Sequence, residues 1–201
     1  MAYSDFDLRG AVEAFNLTLD YSHDLFANVS PMEPSTYLRE WLDEFAPLAI
    51  TIGGETARRE FIITPFLAEA KRRAVGPVIV LPGISIDVDR SRGLAGFCDY
   101  VVARSDMPFY LRSPLVAVVE AKRDDLMPGL GQCAAEMVAI RLFNEKDGTT
   151  VPAEYGIVTS GNNWRFLKMV GPTLYIDAQE YHLGATPKLL GVLVHIFGPP
   201  A

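Results

Sequence analysis

A mixed-sheet α/β fold is predicted by three features of this 201-residue sequence. Leu115-Val116-Ala117-Val118-Val119-Glu120 is almost wholly apolar, the composition of a strand buried on both faces. Amphipathic helical spacing precedes it, from Ser35 onward and again from Glu55 to Arg73. A helical stretch follows from about Pro128 to Phe143, and then two strand-like runs joined through Gly161-Asn162-Asn163. Helix, strands, helix, strands in that order gives an α/β domain with a mixed sheet.

Taken in order, Asp5 and Asp7 suit the cap of a first helix carrying Leu8, Val12 and Phe15 on one face. A loop rich in turn residues covers Tyr21 to Pro34. Ser35 is the expected N-cap of a second helix, with Leu38, Trp41, Leu42 and Phe45 as its apolar stripe. Ala46 to Thr51 reads as a separate short apolar run, ended by Gly53-Gly54. The third helix carries Ala57, Phe61, Ile62, Phe66 and Leu67 inward, with Lys71-Arg72-Arg73 at its C-terminal end. Pro65 lies inside it and predicts a kink or a break. Pro77 to Val88 forms one or two strands interrupted near Pro82-Gly83. Phe97 to Ala103 is a further strand, separated from Leu115–Glu120 by a turn around Asp106-Met107-Pro108. Tyr155–Thr159 and Trp164–Val170 form the hairpin, Leu174–Ile176 adds a short strand, and Lys188–Phe197 closes the chain as a helix or strand.

Hydrophobic residues make up 49% of the chain and charged residues 21%, the balance of a soluble globular domain, and the length allows one sizeable core without forcing a second domain. No run approaches the ~18 apolar residues of a membrane span, and the start MAYSDFDLRG lacks the order of a secretory signal. Two cysteines, Cys98 and Cys133, make no disulfide framework, so the expected compartment is a reducing cytoplasm. A net charge of −7 argues against a generic nucleic-acid coat but leaves room for a local basic cleft.

The apolar strand turns abruptly charged at Glu120-Ala121-Lys122-Arg123. Alternation sends Glu120 and Lys122 to one side and Ala121 to the other. A carboxylate and an ammonium together at the end of a core strand are costly to bury for stability alone. If the Phe97–Ala103 strand pairs with this one, Asp99 converges on Glu120, and two carboxylates with a lysine beside them suit a magnesium site. A surface ion pair is the plain alternative. Glu55 leads Glu60 and Glu69 as a further acidic group, and it equally suits the positive end of a helix. Gln132 and Glu136 share a helix face; Gln132 is read as pointing to Lys122 or substrate, Glu136 as solvated.

Other motifs carry less. Met127-Pro128-Gly129-Leu130-Gly131 has the look of a phosphate loop but lacks its ending. The cysteines read as apolar filler. His23, His182 and His195 have no zinc-ligand spacing, and no serine nucleophile elbow is present. Arg58, Arg59, Lys71, Arg72, Arg73, Arg104, Arg112 and Arg123 are read mainly as solvated charge, with a local phosphate-facing rim as the sharper alternative.

In sequence order, Glu55-Thr56-Ala57-Arg58 with Thr64-Pro65-Phe66-Leu67, Gly96-Phe97-Cys98-Asp99, Val119-Glu120-Ala121-Lys122, Gly129-Leu130-Gly131-Gln132 and Tyr155–Gly161 with Trp164-Arg165-Phe166 resemble the PD-(D/E)XK nuclease superfamily. The likeness is to the N-terminal nuclease domain of type I restriction enzyme motor subunits and to small stand-alone relatives of it. It covers roughly residues 55–170. Cys98 stands where the motif often carries proline, a proline that many members lack.

The resemblance implies a restriction-endonuclease-like three-layer fold, a central mixed sheet flanked by helices. The ends outside the likeness are read from their own residues, as a helical extension over residues 1–50 and a strand or helix over 171–201 of a single domain. The resemblance also implies Mg²⁺ or Mn²⁺ held by Asp99, Glu120, the Ala121 carbonyl and Glu55, with Lys122 acting on the attacking water and Gln132 fixing Lys122 or touching the nucleic-acid backbone. The expected reaction is hydrolysis of a DNA phosphodiester. The alternative is a nuclease-fold module that binds or regulates without cleaving. A weaker option is an oligomerisation or scaffold role, suggested by the aromatic-rich ends and admitting a homodimer.

Overall fold

The computed structural model describes residues 2–198; Met1, Pro199, Pro200 and Ala201, at the outer ends of the expected terminal segments, lie outside them. Helix α1 (Leu8–Ala14) starts at Asp7, whose carboxylate accepts from the Gly10 N–H at 2.6 Å. A short strand, β1 (Thr18–Asp20), follows. Helix α2 (Thr36–Ile52) starts at Ser35, whose hydroxyl accepts from the Leu38 N–H at 3.2 Å, and stops at Gly53 in the left-handed region, φ 69°. It runs straight through Pro47, so Ala46–Thr51 is its last part and not a separate element. Buried Leu38, Leu42, Ala46 and Ala49 form one stripe across the proline, and that burial outweighs the lost hydrogen bond.

The expected third helix is broken into α3 (Glu55–Arg58), a π segment (Arg59–Ile63) and α4 (Thr64–Arg73). Pro65 has no N–H for the Phe61 carbonyl, and its ring crowds that carbonyl. The chain widens into the π segment just before it, and the Trp41 indole N–H takes over the Phe61 carbonyl at 3.0 Å.

The remaining elements are β2 (Ile79–Asp89), β3 (Leu94–Ala103), β4 (Leu115–Ala121), α5 (Met127–Lys146), β5 (Glu154–Thr159), β6 (Asn163–Val170), β7 (Thr173–Ile176), β8 (Tyr181–His182) and α6 (Thr186–Phe197). One sheet runs β1-β7-β6-β5-β4-β3-β2, with β8 paired to β6. The β1·β7 and β4·β5 pairs are parallel and the others antiparallel, so the sheet is mixed. Strand β4 is interior to it and buried along its whole length.

Helices cover both faces, giving three layers. Leu38, Ile63, Phe66, Trp164 and Leu193 belong to a core between the sheet and α2, α4 and α6. Tyr3, Leu130, Cys133, Met137 and Val158 belong to a second core under α5. Val119 and Ala121 face the first core and Val118 the second, so alternation aims Glu120 and Lys122 at α5. No described helix is long and apolar enough to cross a membrane.

Two irregularities frame the charged end of β4. The β2–β3 ladder pairs Pro82 with Tyr100 and Ile84 with Cys98, passing over Gly83 (φ 60°) and Asp99. The β3–β4 ladder ends at Tyr100 and Val119. Strand β2 is therefore continuous, and the expected interruption at Pro82-Gly83 is a local lapse in pairing opposite Asp99.

Candidate active site

Asp99 sits where both ladders lapse, and its side chain substitutes for the missing backbone pairing. Its Oδ2 accepts from the Ala121 N–H at 2.8 Å, and its Oδ1 from Arg59 Nη1 at 2.8 Å. The N–H and C=O of a strand residue leave on the same side, so the Ala121 carbonyl is directed to this gap as well.

Glu120 is 4% exposed and reaches toward α5. Lys122 Nζ donates to Glu120 Oε1 at 2.6 Å and to Gln132 Oε1 at 3.0 Å. Gln132 Nε2 in turn donates to Glu136 Oε1 at 3.1 Å. The predicted convergence of Glu120, Lys122 and Gln132 is thus present as a bonded chain. The Lys122 backbone is held by its own N–H on the Thr159 carbonyl at 2.8 Å. Gly129 makes the close approach of α5 possible, since a Cβ there would lie 2.9 Å from Lys122 Cε and 2.7 Å from Val158 Cγ1. The glycines of Met127–Gly131 lie inside α5 and serve packing; they form no phosphate loop.

Glu136 corrects the sequence reading. It is fully buried, not solvated. Its carboxyl lies beside that of Glu120 in the interior. Among the described residues the Oε2 atoms of both carboxyls have no hydrogen-bond partner. Burial first, and the charge of Glu120 second, raise Glu136 well above the carboxylate range, so it is the neutral partner. Glu120 is pushed up to about 7, by burial and then by the charge of Asp99, against the pull of Lys122. Burial works to lower Lys122, but its bond to Glu120 and the charges of Glu120, Glu55 and Asp99 hold it above its ordinary value. Lys122 is therefore an ammonium at neutral pH, while Glu120 keeps its proton to higher pH than an ordinary carboxyl does.

The other predicted acids separate. Glu55 opens α3 and adds its field at Lys122. Glu60 lines a cavity of about 360 Å³ beside Asp99. Glu69 is excluded from the site: its oxygens accept from Ser35 N and Oγ at 3.2 and 3.0 Å and pair with Arg72 and Arg73, tying α4 to the start of α2. Of the basic residues, Arg59 and Lys71 line the cavity next to Asp99. Arg58 is buried and structural, donating to the Ser160 carbonyl at 3.0 Å and to Asp124 at 2.9 Å.

As a cation site the donors are all oxygen. Glu120 Oε2 is a buried acceptor with no hydrogen-bond partner among the described residues, and Asp99 and the Ala121 carbonyl face the neighbouring gap. Among the described residues no group of three or more His, Cys, Asp and Glu side chains is placed to hold a metal ion. A donor set of two carboxylates completed by carbonyl, water and substrate oxygens suits Mg²⁺, which keeps several waters, and does not suit zinc. Sequence reasoning did not assign Arg59 to Asp99 or Glu136 to the interior. The near absence of polar residues from Pro128 to Ile140 was the signal for Glu136, since a helix apolar all round is buried all round.

No protein-family model matches the chain, and no curated protein or solved structure does.

Proposed function

We propose that the protein is a metal-dependent DNA endonuclease with a restriction-endonuclease-like fold of the PD-(D/E)XK type. The observation that carries this reading is Lys122, an ammonium held between Glu120 Oε1 and Gln132 Oε1 at the end of a buried strand, one strand away from the Asp99 carboxylate. Asp99, Glu120 and the Ala121 carbonyl would hold Mg²⁺ or Mn²⁺, with Glu55 near enough to act through its charge. The metal supplies Lewis acidity toward a phosphate oxygen and a more acidic water. Lys122 positions that water and offsets the charge that builds on the phosphorus-bound oxygens. Gln132 fixes the Lys122 ammonium, and Glu136 keeps Gln132 in place by accepting from its amide.

A second reading is a module that keeps this fold and binds or regulates without cutting. It is favoured by the net charge of −7 and by Arg59 already filling Oδ1 of Asp99. Lys122→Ala separates the two, because it removes the group acting on the transition state and leaves both proposed metal carboxylates. For a nuclease, cleavage of plasmid, linear and single-stranded DNA with Mg²⁺ or Mn²⁺ falls by at least ~10² while DNA affinity stays close to wild type. Equal, substantial cleavage by both proteins defeats the role given to Lys122. Equal inactivity on every DNA form favours the binding module.

A further inference from the structure

We propose that Arg59 is a latch on Asp99: guanidinium and metal ion compete for Oδ1, and the released guanidinium takes a phosphate oxygen of the substrate strand at the mouth of the adjoining cavity. The inference rests on the metal-dependent nuclease reading above and names how that site is regulated.

Both oxygens of Asp99 are occupied, and they differ in kind. Oδ2 takes a backbone N–H of β4, which cannot leave without opening the sheet. Oδ1 takes Arg59 Nη1, from a side chain 33% exposed and held by no other hydrogen bond among the described residues. A cation that binds Asp99 through Oδ1 must therefore displace or share with Arg59, whereas the backbone contact can stay.

The backbone of Arg59 is firmly anchored. Its carbonyl accepts from Thr64 Oγ1 at 2.9 Å, and the same hydroxyl bonds the Tyr100 hydroxyl at 2.9 Å. The π segment thus starts from a residue pinned to β3, beside Asp99. Such segments are frequent at functional sites because they re-aim side chains. The neighbouring Arg58 shows the contrast, its guanidinium buried and bonded to Ser160 and Asp124. Two adjacent arginines divide the labour, one buried and structural, one at the mouth of the cavity.

The space open to the released group is the cavity of about 360 Å³, lined by Arg59, Lys71, Thr64, Tyr100 and the acidic Glu60 over an apolar floor. Lys71 makes no hydrogen bond or ion pair among the described residues, so two cations stand at one rim. A guanidinium offers planar paired donors and an ammonium a point charge, the chemistry that grips a phosphodiester. In the free protein Arg59 offsets the repulsion between Asp99 and Glu120. Metal frees Arg59 for phosphate, and phosphate draws Arg59 off the metal site. Each ligand therefore strengthens the other by the same factor.

Calorimetry of Mn²⁺ binding to the full chain tests this, with and without a DNA duplex, in a Lys122→Ala background so that cleavage does not intrude. Without DNA, Arg59→Gln should bind Mn²⁺ about tenfold tighter than the background protein, the scale of one charge-assisted contact removed. The tightening of Mn²⁺ binding by DNA in the background protein should disappear in Arg59→Gln. Arg59→Lys keeps the charge on a shorter stem and should behave like Arg59→Gln; should the Gln variant fail to fold, the Lys variant carries the test alone. Arg59→Lys with the background protein's affinity would mean that Arg59 acts only through its field, and the latch would be overturned. Unchanged or weaker Mn²⁺ binding in Arg59→Gln overturns it too, leaving the nuclease reading intact provided Asp99→Asn abolishes binding. Mn²⁺ binding that is missing throughout, or that survives Asp99→Asn, removes the metal reading and the latch with it.

Discussion

Glu136 has no exposed surface and no cation beside it, so its proton has consequences for stability. An acid raised by burial holds its proton in the folded chain at pH values where the unfolded chain has released it. Stability is then greatest below the unfolded value of 4.5 and falls as pH rises, for Glu120 across the window from 4.5 to about 7 and for Glu136 further up. Within such a window each pH unit costs up to about 1.4 kcal/mol per carboxyl. Glu136→Gln keeps the shape and an acceptor for Gln132, and removes the ionisation. We expect it to be more stable than wild type by at least ~1 kcal/mol at about pH 8, a Tm gain of about 2–4 °C per kcal/mol. At about pH 5 the two should be nearly equal. Thermal melts at both pH values decide this, and a variant less stable at both would show that Glu136 acts through packing and not through its proton. The spacing of Gln132 and Glu136 gave their shared face but not what lies against it. Spacing reports direction around a helix, whereas burial depends on the strands packed there.

At the level of elements, the sequence was informative wherever a local signal and a tertiary one agree. The Asp7 and Ser35 caps, the apolar β4 strand and the β5–β6 hairpin all carry their determinants within a few residues. Strands β1 and β8 were missed because they are only 3 and 2 residues long, and β1 finds its partner β7 near the far end of the chain. No alternation can develop over such lengths. Pro65 was readable as a break, but the π segment that results depends on Trp41 reaching the Phe61 carbonyl, a contact between two helices. Helix α5 shows the same division. Its glycines are visible in the sequence, but their reason is close packing: a Cβ on Gly131 would lie 2.1 Å from the Asp7 carbonyl carbon and 2.5 Å from the Leu8 nitrogen. Backbone cannot give way as a side-chain tip does, so Gly131→Ala must shift α1 off α5. Urea unfolding should show a loss of about 3 kcal/mol or more, the upper end for overpacking. A loss under about 1 kcal/mol would mean that the N-terminal segment is not held against α5.

The whole molecule carries a net charge of −7, and its interior holds two acids, Glu120 and Glu136, beside the Asp99 carboxylate at the end of β4. A protein that gathers acids in its interior is stabilised by whatever cation neutralises them. If two carboxylates bind Mg²⁺ with a Kd on the order of 1 mM, then about 10 mM Mg²⁺ stabilises the fold by roughly 1.4 kcal/mol through mass action. For a chain of 201 residues that is a Tm rise of about 3–6 °C. The sign of the pH effect follows from Glu120: its value of about 7 means that at about pH 5.5 the cation must first expel a proton, whereas at about pH 8 it need not. The rise should therefore be largest near pH 8 and shrink near pH 5.5. Asp99→Asn and Glu120→Gln should each abolish it, and NaCl at equal ionic strength should not reproduce it, since screening acts on exposed charges more than on this buried cluster. Differential scanning calorimetry at the two pH values, with and without Mg²⁺, measures all of this directly. A Tm rise equal in Asp99→Asn, or equal with NaCl, would place the cation's effect on the acidic surface at large, and the β4 site would lose its claim to a metal.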